Sequence, residues 1–153
     1  MAFSTSLPAT PVMGTTPVTD TKRLRWLPAL ASPLKIFPHT LACVDTATGR
    51  FAQPTGAATV LFDGIVEQDF AVTYDVAADK TQQVRIDRPL AIRIAITDNC
   101  TDADLLKNVY IVPNSDASVT KTVPGSGNVS PIGTIDYVHS ANDVTIKLSY
   151  QTL

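Results

Sequence analysis

Histidine, cysteine and tryptophan are scarce in this chain, and each scarcity closes off a chemistry. Of 153 residues only two are cysteine, Cys43 and Cys100, and two are histidine, His39 and His139. The cysteines stand far apart, with no CxxC spacing and no clustered histidine, so neither a zinc site nor a disulfide scaffold is expected. Both read as small buried hydrophobes. Neither histidine belongs to a recognisable nucleophile motif, and GxSxG, HExxH and glycine-rich phosphate-loop patterns do not occur. The chain therefore reads as a non-enzyme, with no catalytic residue, no cofactor and no metal assigned. Charged residues make up 17% of the sequence, and no apolar run approaches the roughly 20 residues that a membrane-spanning helix needs. A soluble globular chain with no membrane partner is expected. The first residues also lack the basic and then apolar segments of a secretory signal, which points to synthesis in a cytoplasm. For that reason the acceptor patterns "NCT" (99–101) and "NVS" (128–130) carry no weight.

Proline, by contrast, is concentrated. Six of the 11 prolines fall in the first 40 residues: Pro8, Pro11, Pro17, Pro28, Pro33 and Pro38. Proline removes a backbone donor and blocks both helix and central strand, so residues 1–39 read as an extended arm. Its first twenty residues are rich in Thr, Pro and Ala and are expected to be mobile. The following stretch "KRLRWLPALASPLKIF" carries Leu24, Trp26, Leu27, Leu30, Leu34, Ile36 and Phe37, which want burial on the chain's own body, on a sister subunit or on a partner. Charge divides the same way. Lys22, Arg23, Arg25 and Lys35 against Asp20 give residues 1–40 a charge of +3, while 8 basic and 13 acidic residues give 41–153 a charge of −5. Basic residues beside Trp26 could also touch nucleic acid, but four of them among prolines and aliphatics fit a protein-docking arm better.

From Thr40 onward short alternating runs are separated by Asp, Asn, Gly and Ser clusters about every ten residues, the pattern of an all-β sandwich or barrel. In "RPLAIRIAIT" the alternation puts Leu90, Ile92, Ile94 and Ile96 on one face; in "DVTIKLSY" it puts Val144, Ile146, Leu148 and Tyr150 inward. "QQVRID" and "ASVTKTV" are weaker strands, and "TDADLLKNV" holds a single turn capped by Thr101 or Asp102. The oxygen-rich "TDNCTDADL", with Asp98, Asn99, Asp102 and Asp104, has the ligand type calcium prefers. It lacks the spaced glycine and terminal glutamate of an EF-hand loop, and reads as a self-capping turn.

Laying residue n over n+69 aligns Leu41–Glu67 with Tyr110–Asp136 and superposes Gly56 on Gly125 and Gly64 on Gly133. Two similar β-units folded into one barrel are the architectural reading of this overlay. Glycine weakens a strand interior, so Gly64 in "LFDGIVEQD" and Gly133 in "SPIGTIDYV" are expected at a bulge, a bend or a close approach of another backbone.

The segment "PHTLACVDTATGRFAQPTGAATVLFDGIVEQD" resembles part of the head decoration, or capsid cement, proteins of tailed bacteriophages, in its succession of apolar strand, Asp turn, short strand, Ala/Gly loop and "GIV" strand. The C-terminal "NVYIVPNSDASVTKTVPGSGNVSPIGTIDYVHSANDVTIKL" is similar to small phage capsid-stabilising proteins through "VY", "VT", a "GN" loop, "PIGT" and a closing "VTIKL" strand. Together they span some two thirds of the chain; the central block "DFAVTYDVAADKTQQVRIDRPLAIRIAI" departs from compact members. The resemblance implies an all-β fold, a small β-barrel or β-tulip-like domain over 40–153 with an extended N-terminal arm. It implies a homotrimer on the outer capsid surface of the virion, cementing neighbouring major capsid protein subunits, with no direct nucleic-acid contact. Lys22, Arg23, Leu24, Arg25, Trp26, Leu27, Leu30, Leu34, Ile36 and Phe37 would be its capsid or subunit contacts. A carbohydrate- or receptor-binding β-barrel is the alternative, and a trimeric β-fold enzyme of nucleotide metabolism a more distant one.

Overall fold

The computed structural model describes residues 9–11 and 22–150. The mobility expected of residues 1–20 falls, apart from 9–11, outside the described residues. Thirteen strands are formed by the described residues. In chain order they are β1 (Ala9–Pro11), β2 (Arg23–Trp26), β3 (Leu34–Ile36), β4 (Leu41–Asp45), β5 (Arg50–Ala52), β6 (Val60–Val66), β7 (Val72–Tyr74), β8 (Gln83–Asp87), β9 (Ala91–Ile96), β10 (Asn108–Ile111), β11 (Ser118–Thr120), β12 (Gly133–Ser140) and β13 (Asp143–Leu148).

The fold is all-β and contains a closed five-stranded barrel, β9-β11-β10-β12-β13, in which β13 returns to pair with β9. A second five-stranded sheet runs β5-β4-β6-β8-β2, and β3 pairs with β7 beside it. These two sheets follow one plan. Taken in chain order, β2, β4, β5, β6 and β8 occupy the same places as β9, β10, β11, β12 and β13, and all four corresponding neighbour pairs are antiparallel. The 69-residue overlay thus marks two similar units, each with its own sheet rather than sharing one barrel. It fades after Asp136 because residues 67–82 with β7 separate β6 from β8, whereas only Ala141 and Asn142 separate β12 from β13. Among the described residues only the second unit is joined edge to edge, through a parallel pairing of β9 with β11 (Ala95 with Ser118, Ile96 with Val119). In the first unit β5 approaches β2 without pairing, and a cavity of about 230 Å³ lined by Leu27, Pro28, Leu34 and Phe51 lies there.

Alternation decides what each unit buries. Ile92, Ile94 and Ile96 point into the barrel with Val144, Ile146, Val109 and Ile135. Leu90, expected on that face, precedes β9 and is exposed, since the strand begins only at Ala91. Apart from Asp45 and Asp63, β4 and β6 are apolar on both faces because both faces are covered. Leu41, Cys43, Phe62 and Ile65 join the barrel core, while Ala42 and Val66 join Leu27, Ile36, Phe51, Val84 and Ile86 in a second core. The arm residues from Lys22 onward lie on the chain's own body, the first of the three resting places open to them. β2 is hydrogen-bonded along β8, β3 along β7, and Leu30 bridges to Ala77.

Gly64 and Gly133 sit where backbones crowd. The β4–β6 register steps from Ala42 opposite Gly64 to Cys43 opposite Phe62, so Asp63 is the extra residue of a bulge. Gly64 follows at φ +153°, and a Cβ there would lie 2.3 Å from Asp87 O. A Cβ on Gly133 would lie 2.3 Å from Lys147 O of β13.

Candidate functional site

The described arm residues separate into an internal set and an outward set. Leu27 and Ile36 are 1% and 2% exposed, and Leu30 and Leu34 pack against the same cluster, so these four are spent on the fold. Phe37 is half-buried, with the Lys35 ammonium 5.2 Å from its ring centroid. Leu24 and Trp26 are different, at 54% and 39% exposed.

The strand "RLRW" inverts the usual rule. Across the β2–β8 pairing Arg23 faces Ile86 and Arg25 faces Val84, and cross-strand partners share a sheet face. The arginines therefore lie on the side of the buried Val84 and Ile86, while the apolar Leu24 and Trp26 lie with Arg85 and Gln83 on the exposed side. What holds the arginines inside is Asp63, the bulge residue. Its fully buried carboxylate accepts from Arg25 Nε at 2.7 Å and Arg25 Nη2 at 2.9 Å, and from Arg88 Nη2 at 2.6 Å. Arg88 Nε also donates to Asp63 O at 2.7 Å. Burial pushes the Asp63 carboxyl up, but the hydrogen bonds from the two guanidinium groups outweigh it and hold the group below the usual carboxylate range.

The network continues to the other unit's end. The Arg88 guanidinium lies 4.8 Å from the Tyr150 ring centroid, and that ring stacks on Phe62 at 5.4 Å. Tyr150 Oη donates to Pro89 O at 2.6 Å. Lys22, exposed, pairs with Glu67. Arg23 stands apart: its Nε is buried without an acceptor, and no side-chain hydrogen bond or ion pair from its guanidinium joins it to a described residue. Burial, and then the neighbouring Arg88, lower its pKa.

The clamp of Asp63, Arg88 and Tyr150 was not singled out from the sequence. One signal for it was present, an aspartate inside the apolar strand "VLFDGIV", since a carboxylate buried in a strand demands cationic partners.

The remaining sequence candidates are spoken for. Asp98 accepts from the hydroxyls of Thr97, Thr120 and Thr122 and from Lys121 N, binding the 97–99 turn to β11. Asp104 accepts from Lys107 Nζ, Thr101 N and Lys121 Nζ, and closes a capping box with Thr101 on a 3-10 turn, Asp102–Asp104. Those three donors hold the Asp104 carboxyl far below its usual range. Among the described residues no group of three or more His, Cys, Asp or Glu side chains is placed to hold a metal ion. His139 bonds Thr145 Oγ1 at 2.8 Å, and its ring lies 4.7 Å from that of exposed Tyr137. Cys43 and Cys100 are both buried free thiols.

Taken together, the surface around β2 combines an outward apolar pair with inward cations fixed on a buried carboxylate. Compared with protein-family models, with curated proteins and with solved structures, the chain matches none.

Proposed function

We propose that this chain is a structural virion protein that binds the outer surface of an assembled phage capsid and cements neighbouring major capsid protein subunits. The observation that carries the reading is β2. It lies on the outside of its sheet and turns Leu24 and Trp26 outward, although its neighbour β8 shows that burial was available on the other face. Tryptophan on a sheet surface is a typical anchor for protein association. The sequence resemblance to capsid cement proteins supports the same reading, and a homotrimer would repeat this face around a three-fold axis. The mechanism is mass action: a ligand that binds only the assembled, expanded lattice stabilises that lattice.

The test is sedimentation of purified protein with expanded and unexpanded heads. Selective binding to expanded heads is expected, with Leu24→Ser plus Trp26→Ser weakening it at least about tenfold while the protein stays folded. Deleting residues 20–37 would be the wrong experiment, because Leu27 and Ile36 belong to a core. Equal binding by the surface variant would remove the reading. The receptor- or glycan-binding alternative has one observation of its own, the exposed Tyr137 ring beside His139 on β12. Reproducible glycan-array hits lost in Tyr137→Ala would favour it.

A further inference from the structure

Each unit begins with a strand whose partner on one side is the last strand of that unit: β9 on β13, and β2 on β8. On its other side β9 carries two short partners, β11 opposite Ala95 and Ile96 and the N-terminal β1 opposite Ile92–Ile94. The 69-residue offset places Ile92–Ile94 on Arg23–Arg25 of β2. There the corresponding place is open among the described residues, where β2 pairs with β8 alone. Leu27 N–H donates across to Gln82 O, so by alternation Leu24 and Trp26 turn their N–H groups to the far edge.

We propose that this edge of β2 receives an extended, acidic segment of the neighbouring protein as an added antiparallel strand. The inference rests on the capsid-contact reading for the partner being a protein, and it names the contact that reading needs. Three observations meet at this edge. The equivalent edge in the second unit shows that an extended segment fits, because β1 occupies it. Arg23 supplies the charge complementarity: it is a guanidinium with a buried, unsatisfied Nε, next to two arginines already committed to Asp63. A residue opposite Arg23 on an added strand would share its face, so a Glu or Asp there would meet unpaired donors. On the other face, Leu24 and Trp26 would meet apolar residues one and three positions N-terminal to that acidic residue. Main-chain hydrogen bonds would supply affinity and the alternating side chains specificity.

The probe is a capped pentapeptide, acetyl-Val-Thr-Val-Glu-Val-amide, titrated into the full-length protein and followed by nuclear magnetic resonance. Saturable shifts are expected at the Arg23 Nε–H and at the Leu24 and Trp26 amides. The response should weaken about tenfold with Gln in place of Glu in the peptide, and likewise in Arg23→Gln. In the free protein the Leu24 and Trp26 amides should exchange with solvent as fast as an open edge does. No saturable shift, or equal response to the Gln peptide, would overturn the proposal. So would strong protection of those amides in the free protein, which would mean that the chain itself or a second copy already covers the edge. Binding to expanded heads that is unchanged in Arg23→Gln would remove the strand site and leave the capsid reading standing. Peptide binding without head binding would do the reverse.

Discussion

Asp63 shows how much one residue decides. It is the extra residue of a bulge, and the bulge turns its carboxylate into the interior, where Arg25 and Arg88 meet it. Removing the charge while leaving two half-buried guanidinium groups should cost about 3–5 kcal/mol in Asp63→Asn, read by chemical denaturation at neutral pH. The pH dependence follows from the lowered Asp63 pKa. Its stabilising contribution is complete above the ordinary carboxylate value of about 4 and is lost as pH falls through the lower folded value. Wild type should therefore lose its advantage over Asp63→Asn as pH drops from about 4 toward 2. A constant gap between the two proteins across that range would rule out the assignment. Gly133 is decisive for a different reason, steric rather than electrostatic. With Lys147 O 2.3 Å from a would-be Cβ, Gly133→Val should cost at least about 3 kcal/mol or abolish folding. A stable, well-folded variant would contradict the close approach.

At the scale of elements, side-chain locks decide which short segments are ordered. β11 has only three residues, yet it closes the barrel by its parallel pairing with β9. Asp98 secures that closure by accepting the hydroxyl of Thr120 on β11 together with those of Thr97 and Thr122. Asp98→Ala leaves several donors without their acceptor and should destabilise by about 1–3 kcal/mol. Added calcium should leave the wild-type melting temperature unchanged, because the carboxylate is already occupied by hydroxyl donors. A calcium-dependent rise that Asp98→Ala abolishes would reinstate a metal loop. The strands were legible in the sequence where alternation was strict, as in "AIRIAI" and "DVTIKL", and illegible in "RLRW", where the apolar residues face solvent. Periodicity locates a strand's two faces but not which of them is inside; here Asp63, distant in sequence, makes the choice.

For the whole molecule the consequence is cooperativity between two similar units. Phe62 and Ile65 come from the first unit's sheet but belong to the same core as the barrel's Ile92, Ile94 and Ile146. The units should therefore unfold together. Trp26 is the only tryptophan and sits in the first unit, so its fluorescence and the far-ultraviolet signal of the whole chain should give coincident transitions. Phe62→Ala should lower both midpoints together, at a cost of about 3–5 kcal/mol. Separate transitions would show that the shared core does not couple the units.

By itself the sequence determined the all-β class, the barrel-facing residues of β9 and β13, and the close backbone approaches at Gly64 and Gly133. Those features follow from period-two alternation and from the steric demands of glycine, both local along the chain. Tertiary structure alone decided that the two units keep separate sheets and that only the second closes. It also decided that the apolar half of the arm folds onto its own body, leaving Leu24 and Trp26 outside. The physical reason is that closure, burial and ion pairing depend on partners such as Asp63 with Arg25, or β9 with β11. These lie tens of residues apart and leave no periodic trace in either segment.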